Sequence, residues 1–199
     1  MANRGQGFSR RTFLAAAGAA AVSRSVVNAA DAAPGSGAAG TAAPSDAATR
    51  RVGPGDTVRI GAIGVGNRAG LLLDQLPPSA RIVALCDCNL PRAEAFRQKR
   101  GGDWAVYQDY RPLLDRRDVD AVIVATGDFQ RVLPCIHACQ AGKDVYAEKP
   151  LTLYVQEGRT LVDAVRRHGR VLQVGSQQRS MEINRLACQF VREGGLGRL

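Results

Sequence analysis

Lys149 closes a short apolar run, stands directly after Glu148 and is followed at once by Pro150. The chain has only three lysines, Lys99, Lys143 and Lys149, and arginine supplies the rest of its 27 basic side chains. Arginine stays protonated, whereas a lysine can release its proton when desolvated and so work as an acid or base. A lysine at the carboxyl end of a strand sits where open α/β sheets hold their ligands. Taken alone, Lys149 also reads as a solvated lysine ending a strand, and that is the simpler reading.

A second set of residues lies upstream. Gly64-Val65-Gly66-Asn67-Arg68-Ala69 has the spacing G-x-G-x-x-A, between the apolar run 58–63 and a helix-like segment at 71–76. Gly64 permits a tight turn, Gly66 lets the backbone approach a pyrophosphate, and Ala69 allows close helix–strand packing. The N–H groups opening the helix face the phosphates. Asp87 ends a second apolar strand, 81–86, twenty-one residues after Gly66; a ribose-binding acid is expected about 20 residues on. A carboxylate there accepts hydrogen bonds from both ribose hydroxyls and repels a 2′-phosphate. It therefore favours NAD over NADP, although Arg92 is close enough to leave NADP open. As an alternative, Asp87 caps the helix around 91–100.

The elements that must position these residues alternate regularly. Strands are expected at 58–63, 81–86, 104–107, 120–126, 145–147 and 171–174. Helices are expected at 71–76, 91–100, 109–115, 132–140 and 155–167, the last with Leu161, Val162 and Val165 on its apolar face. Such alternation implies right-handed crossovers and a doubly wound parallel sheet, the Rossmann architecture. Gly64, Asp87, Thr126 and Glu148 then all fall at strand carboxyl ends on one edge.

Composition narrows the function classes. The net charge is +9, of which residues 1–55 carry +4 through six arginines and two aspartates. The remaining charges are scattered, without the basic stripe and interleaved aromatics of a nucleic-acid surface. Cys86, Cys88, Cys135, Cys139 and Cys188 form no Cys-x-x-Cys pair, so neither a disulfide framework nor a zinc site is expected, and no metal is called for. Cys135 and Cys139 share a helix face and read as buried thiols. His137 and His168 read as structural.

Ser9-Arg10-Arg11-Thr12-Phe13-Leu14 is a twin-arginine block followed by an Ala-rich run at 15–22. That run is short of the roughly 20 residues a bilayer span needs. It reads as a secretory signal over residues 1–29, with export by the twin-arginine machinery to a periplasmic or other extracytoplasmic compartment. Residues 30–55, rich in Ala, Gly, Pro, Ser and Thr, read as a flexible tether. The dinucleotide-binding domain is assigned to residues 56–179.

Residues 58–70, 84–87, 107–110, 120–126, 141–150 and 173–179 resemble the Gfo/Idh/MocA oxidoreductases, and Glu148-Lys149-Pro150 after Ala141-Gly142-Lys143-Asp144-Val145 is the most specific part. The resemblance implies that Gly64, Gly66, Asn67 and Arg68 lie along the pyrophosphate of NAD and Asp87 on the adenosine ribose. It places Thr126 on the nicotinamide side, Glu148 on the nicotinamide ribose, and Lys149 at the substrate hydroxyl, where it assists proton transfer. Gln177 and Arg179 match the crossing towards a substrate domain, and the Lys149–Pro150 bond is expected to be cis. Related sequences carry two histidines after the Thr126 strand. Here Thr126-Gly127-Asp128-Phe129-Gln130-Arg131 has neither, leaving Gln130 or Arg131 to stand in.

The resemblance also implies a second α/β substrate domain, beginning near residue 180 and missing from this chain, with the second catalytic group and the homo-oligomer surface of a full-length protein. The activity implied is hydride transfer between NAD(P) and a sugar or polyol hydroxyl. A redox-assisted glycosidase using the same machinery, and a nucleotide-binding remnant without chemistry, are the alternatives.

Overall fold

A computed structural model describes residues 52–53 and 55–198. The twin-arginine segment and all but the last few tether residues lie outside the described residues. Six strands form one parallel sheet: β1 (Val58–Ile63), β2 (Ala80–Cys86), β3 (Ala105–Tyr107), β4 (Ala121–Val124), β5 (Asp144–Glu148) and β6 (Leu172–Gly175). Their order is β3-β2-β1-β4-β5-β6, so the chain winds outward from β1 in both directions. The doubly wound fold expected from the alternation is the fold observed.

The crossovers are α1 (Asn67–Asp74), α2 (Leu90–Lys99), α3 (Tyr110–Leu114), α4 (Val132–Gln140) and α5 (Val155–Arg167), and α6 (Glu182–Arg192) follows the sheet. Side chains alternate along each strand, so a strand between two helical layers is apolar on both faces. Ile60, Ala62, Ala121, Ile123 and Tyr146 pack with Leu72 and Leu73 of α1 and Ala93 of α2. On the opposite face Ile63, Val122, Val124, Val145 and Ala147 pack with Leu113 and Leu114 of α3, Cys135 and Cys139 of α4, and Leu161 of α5. Val162, expected on the apolar face of α5, is instead exposed; Leu161 and Ala164 are the buried pair. The three-residue spacing from 161 to 164 faces the sheet, and position 162 lies a hundred degrees round the helix.

α1 begins at Asn67, four residues earlier than the apolar pattern predicts, because the Gly70 N–H donates to Gly66 O at 3.2 Å and closes the first turn. Asn89 caps α2, its side chain accepting from the Arg92 N–H. Asp87 is therefore not that helix's cap.

Two of the three lysines lie away from the strand carboxyl ends. Lys99 ends α2, and Lys143 precedes β5 at the amino edge of the sheet. There Lys143 is buried, with Nζ donating to Arg116 O at 2.8 Å. Burial lowers its pKa despite nearby Asp120. Arg59 beside it forks onto Asp120, Nε to Oδ2 at 2.9 Å and Nη2 to Oδ1 at 2.8 Å. This edge is structural. Of the three lysines, Lys149 is the one at the carboxyl edge, directly after β5.

Candidate functional site

At the carboxyl edge, β1 runs into a turn in which Gly64 has φ +82°. A Cβ on Gly64 would lie 2.8 Å from the Thr126 nitrogen and 2.9 Å from the Ala125 carbonyl carbon. Only glycine lets the turn lie against the end of β4. Gly66 differs: a Cβ there would meet nothing within 4 Å. The space above it is open, and the first turn of α1 has no acidic residue and no side-chain cap. Those N–H groups form an anion-accepting helix end.

Asp87, just past β2, is 5% exposed. The Val65 N–H of the turn donates to Oδ2 at 3.0 Å, and the Asn89 N–H to Oδ1 at 2.9 Å. An ionised carboxylate has about four acceptor positions, so these two bonds and a long one from Cys88 Sγ to Oδ1 at 3.8 Å fix its plane and leave capacity for hydroxyl donors. Arg92 Nη1 stands 3.8 Å from Oδ2 on an exposed side chain, the neighbour that keeps a phosphate-tolerant cofactor open.

Thr126 follows β4, and its Oγ1 is buried without a hydrogen-bond partner. An orphaned buried hydroxyl costs about 1–3 kcal/mol, which a ligand donor or acceptor would relieve. Glu148, the last residue of β5, is 3% exposed. Its Oε1 accepts from Arg68 Nε at 2.7 Å and its Oε2 from the Lys149 N–H at 3.0 Å. Arg68 therefore reaches across the sheet from α1 to Glu148. The resemblance alone implied only that it lies along the phosphates. Burial, and then Glu148, raise the pKa of Tyr146 alongside. Lys149 is exposed, and the Lys149–Pro150 peptide is cis.

The edge therefore brings together Gly64, Gly66, Asn67, Arg68, Asp87, Thr126, Glu148 and Lys149. Gln177 and Arg179 lie beyond β6 on an exposed loop. β6 pairs with β5 through Gly175 opposite Glu148, which sets the loop next to the same edge.

One buried side chain here carries more than the sequence reading gave it. Arg131 is 2% exposed. Its Nη2 donates to Thr126 O at 2.6 Å and to Asp128 Oδ1 at 3.2 Å, and its Nη1 donates to Pro150 O. Gln130, the other residue considered for the missing histidines, is exposed. The signal for Arg131 was available: an arginine just before an apolar helix, where a capping or acidic residue is favoured.

The buried cysteines take no part. Burial pushes Cys86 and Cys135 up to about 12 and Cys139 to about 11, keeping them as neutral thiols. Among the described residues no cluster of His, Cys, Asp or Glu is arranged to hold a metal ion, and no helix is long and apolar enough to cross a membrane.

These donors and gaps suit a dinucleotide: open helix amides for phosphates, a fixed carboxylate for ribose hydroxyls, and an orphaned hydroxyl at the far end. Residues 58–176 match the Gfo/Idh/MocA family, described as an oxidoreductase family with an NAD-binding Rossmann fold. An inositol 2-dehydrogenase of Agrobacterium fabrum is 34% identical over 127 residues, 62% of this chain and 38% of that protein. The scyllo-inositol dehydrogenase of Lactobacillus casei, solved with NAD(H) and scyllo-inositol, superposes with a TM-score of 0.65. At 23% identity, over 71% of this chain and 43% of that one, it speaks for the fold. A 3-ketoreductase of Actinomadura kijaniata, solved with TDP-benzene and NADP, is 30% identical with a TM-score of 0.63, covering 70% of this chain and 44% of that one. The chain spans about two fifths of the length of the curated relatives it matches.

Proposed function

The chain belongs to the Gfo/Idh/MocA oxidoreductase family, and on that premise we propose that residues 58–176 form the cofactor half of an enzyme that oxidises or reduces a sugar or polyol at one hydroxyl carbon. The observation that carries this reading is the edge itself. A glycine turn with open helix amides, a buried carboxylate with spare acceptor capacity and an exposed lysine follow β1, β2 and β5 at one edge of a parallel sheet.

The cofactor is of the NAD type, and when bound it supplies the hydride acceptor or donor. This chain's residues do the rest. The amides of Gly66 and the first turn of α1 hold the pyrophosphate. Asp87 orients the adenosine ribose and selects against a 2′-phosphate. The Thr126 hydroxyl and Glu148 take the nicotinamide side, with Arg68 holding Glu148 in place. Lys149 Nζ carries the proton at the substrate hydroxyl, taking it during oxidation and returning it during reduction. Gln177 and Arg179 border the substrate side.

The names of the relatives favour a cyclic polyol or sugar-like substrate. The twin-arginine segment supports a further proposal, export with the cofactor already bound inside the fold.

Lys149→Ala tests the chemistry. Turnover on an inositol and sugar panel is expected to fall about 10²–10⁴-fold, the usual worth of a positioned acid–base group. NADH affinity should stay within a few-fold. Undiminished turnover removes Lys149 from the mechanism.

A further inference from the structure

We propose that Arg131 is a positioning residue of the nicotinamide half of the site. It staples the carboxyl ends of β4 and β5 together and so sets Lys149 in register with Thr126. The inference rests on the functional reading above and deepens it.

The side chain is placed against its own electrostatics. Arg131 is the N-cap of α4, where the helix amides present partial positive charge and a cation is disfavoured. It is also buried, and a buried guanidinium persists only when paired and hydrogen-bonded. Its one carboxylate partner, Asp128, is 56% exposed at 3.2 Å and compensates weakly. The closer partners are two backbone carbonyls on different strand ends: Thr126 O after β4 and Pro150 O after β5.

Those carbonyls belong to the two segments that the proposed chemistry needs in register. Thr126 carries the orphaned hydroxyl, and Pro150 immediately follows Lys149. The planar fork of arginine can address two acceptors at fixed separation, which a lysine ammonium cannot reproduce. Nε is left without an acceptor, so the fork is set by the two carbonyls and not by full satisfaction of its donors.

The test compares NADH with ADP-ribose, which lacks the nicotinamide, on the 199-residue chain. Arg131→Met and Arg131→Lys are first checked for a native circular dichroism spectrum and melting curve. Arg131→Met should weaken NADH binding about tenfold, the equivalent of one lost hydrogen bond, while ADP-ribose affinity stays within about twofold of the unsubstituted chain. Arg131→Lys, which keeps the charge without the fork, should lose most of the same factor, and it decides the matter if the Met variant does not fold. Equal loss for both ligands makes Arg131 a scaffold residue and overturns the proposal, as does no loss for either. An unsubstituted chain that binds ADP-ribose as tightly as NADH, or binds neither, overturns the functional reading and the positioning role together.

Discussion

Gly66→Ala separates binding from folding. Gly66 has φ −73° and ψ −171°, a conformation open to any residue, and an added Cβ meets nothing within 4 Å. Replacing glycine without strain stabilises by about 0.4–1 kcal/mol through the unfolded chain. Alanine is a poorer N-cap than glycine by up to about 1 kcal/mol. The two effects oppose, so stability in urea should change by less than about 1 kcal/mol. The same methyl stands over the helix amides where a pyrophosphate would lie, and NADH affinity should fall at least about tenfold, or 1.4 kcal/mol.

Gly64→Ala is the counterpart. There φ is +82° and the Cβ meets backbone atoms at 2.8–2.9 Å. Left-handed strain of roughly 1–2 kcal/mol and overpacking of about 1–3 kcal/mol act on the fold itself. Denaturant melts and NADH titrations of both variants supply the data. If Gly66→Ala binds NADH normally, the open space above Gly66 is not a phosphate site. If it loses stability as Gly64→Ala does, the fall in affinity is a folding effect.

Two further outcomes follow from the same geometry. Asp87→Asn has one acceptor oxygen for the two N–H groups of Val65 and Asn89 that the carboxylate now receives. It should cost about 1–3 kcal/mol of stability and, by removing the negative charge, raise the NADPH-to-NADH affinity ratio in paired titrations; an unchanged ratio removes Asp87 from cofactor selection. Burial holds the Cys135 thiol at about 12 against 9.0 when unfolded. Above pH 9 the unfolded state then binds fewer protons, and stability falls as pH rises towards 12. Urea midpoints of Cys135→Ala should start lower from the cavity but fall less steeply above pH 9, and parallel slopes would contradict the assignment.

The parts of this site legible in the sequence are those fixed by local spacing. Gly64, Gly66 and Asp87 announce themselves through the turn and the following strand, and strand ends are read from where apolar runs stop. The start of α1 is not legible because Asn67 and Arg68 carry no apolar signal, whereas the Gly66–Gly70 backbone bond forms regardless. Val162 is apolar yet exposed because adjacent helix positions point about a hundred degrees apart, and Leu161 takes the sheet-facing one. Contacts across the sheet were beyond reach. Arg68 meets Glu148 eighty residues away only because the sheet order sets β5 two strands from β1, with β4 between them. Arg131 finds Pro150 only because β4 and β5 pair in register from Ala121 opposite Asp144 to Val124 opposite Ala147.

The most direct measurement is a crystal structure of the chain soaked with NADH. The account predicts the pyrophosphate on the amides of Gly66 and α1, the adenosine ribose on Asp87, and the nicotinamide between Thr126 and Lys149. A dinucleotide bound elsewhere, or one that leaves Thr126 Oγ1 without a partner and Lys149 remote from the nicotinamide, would contradict it.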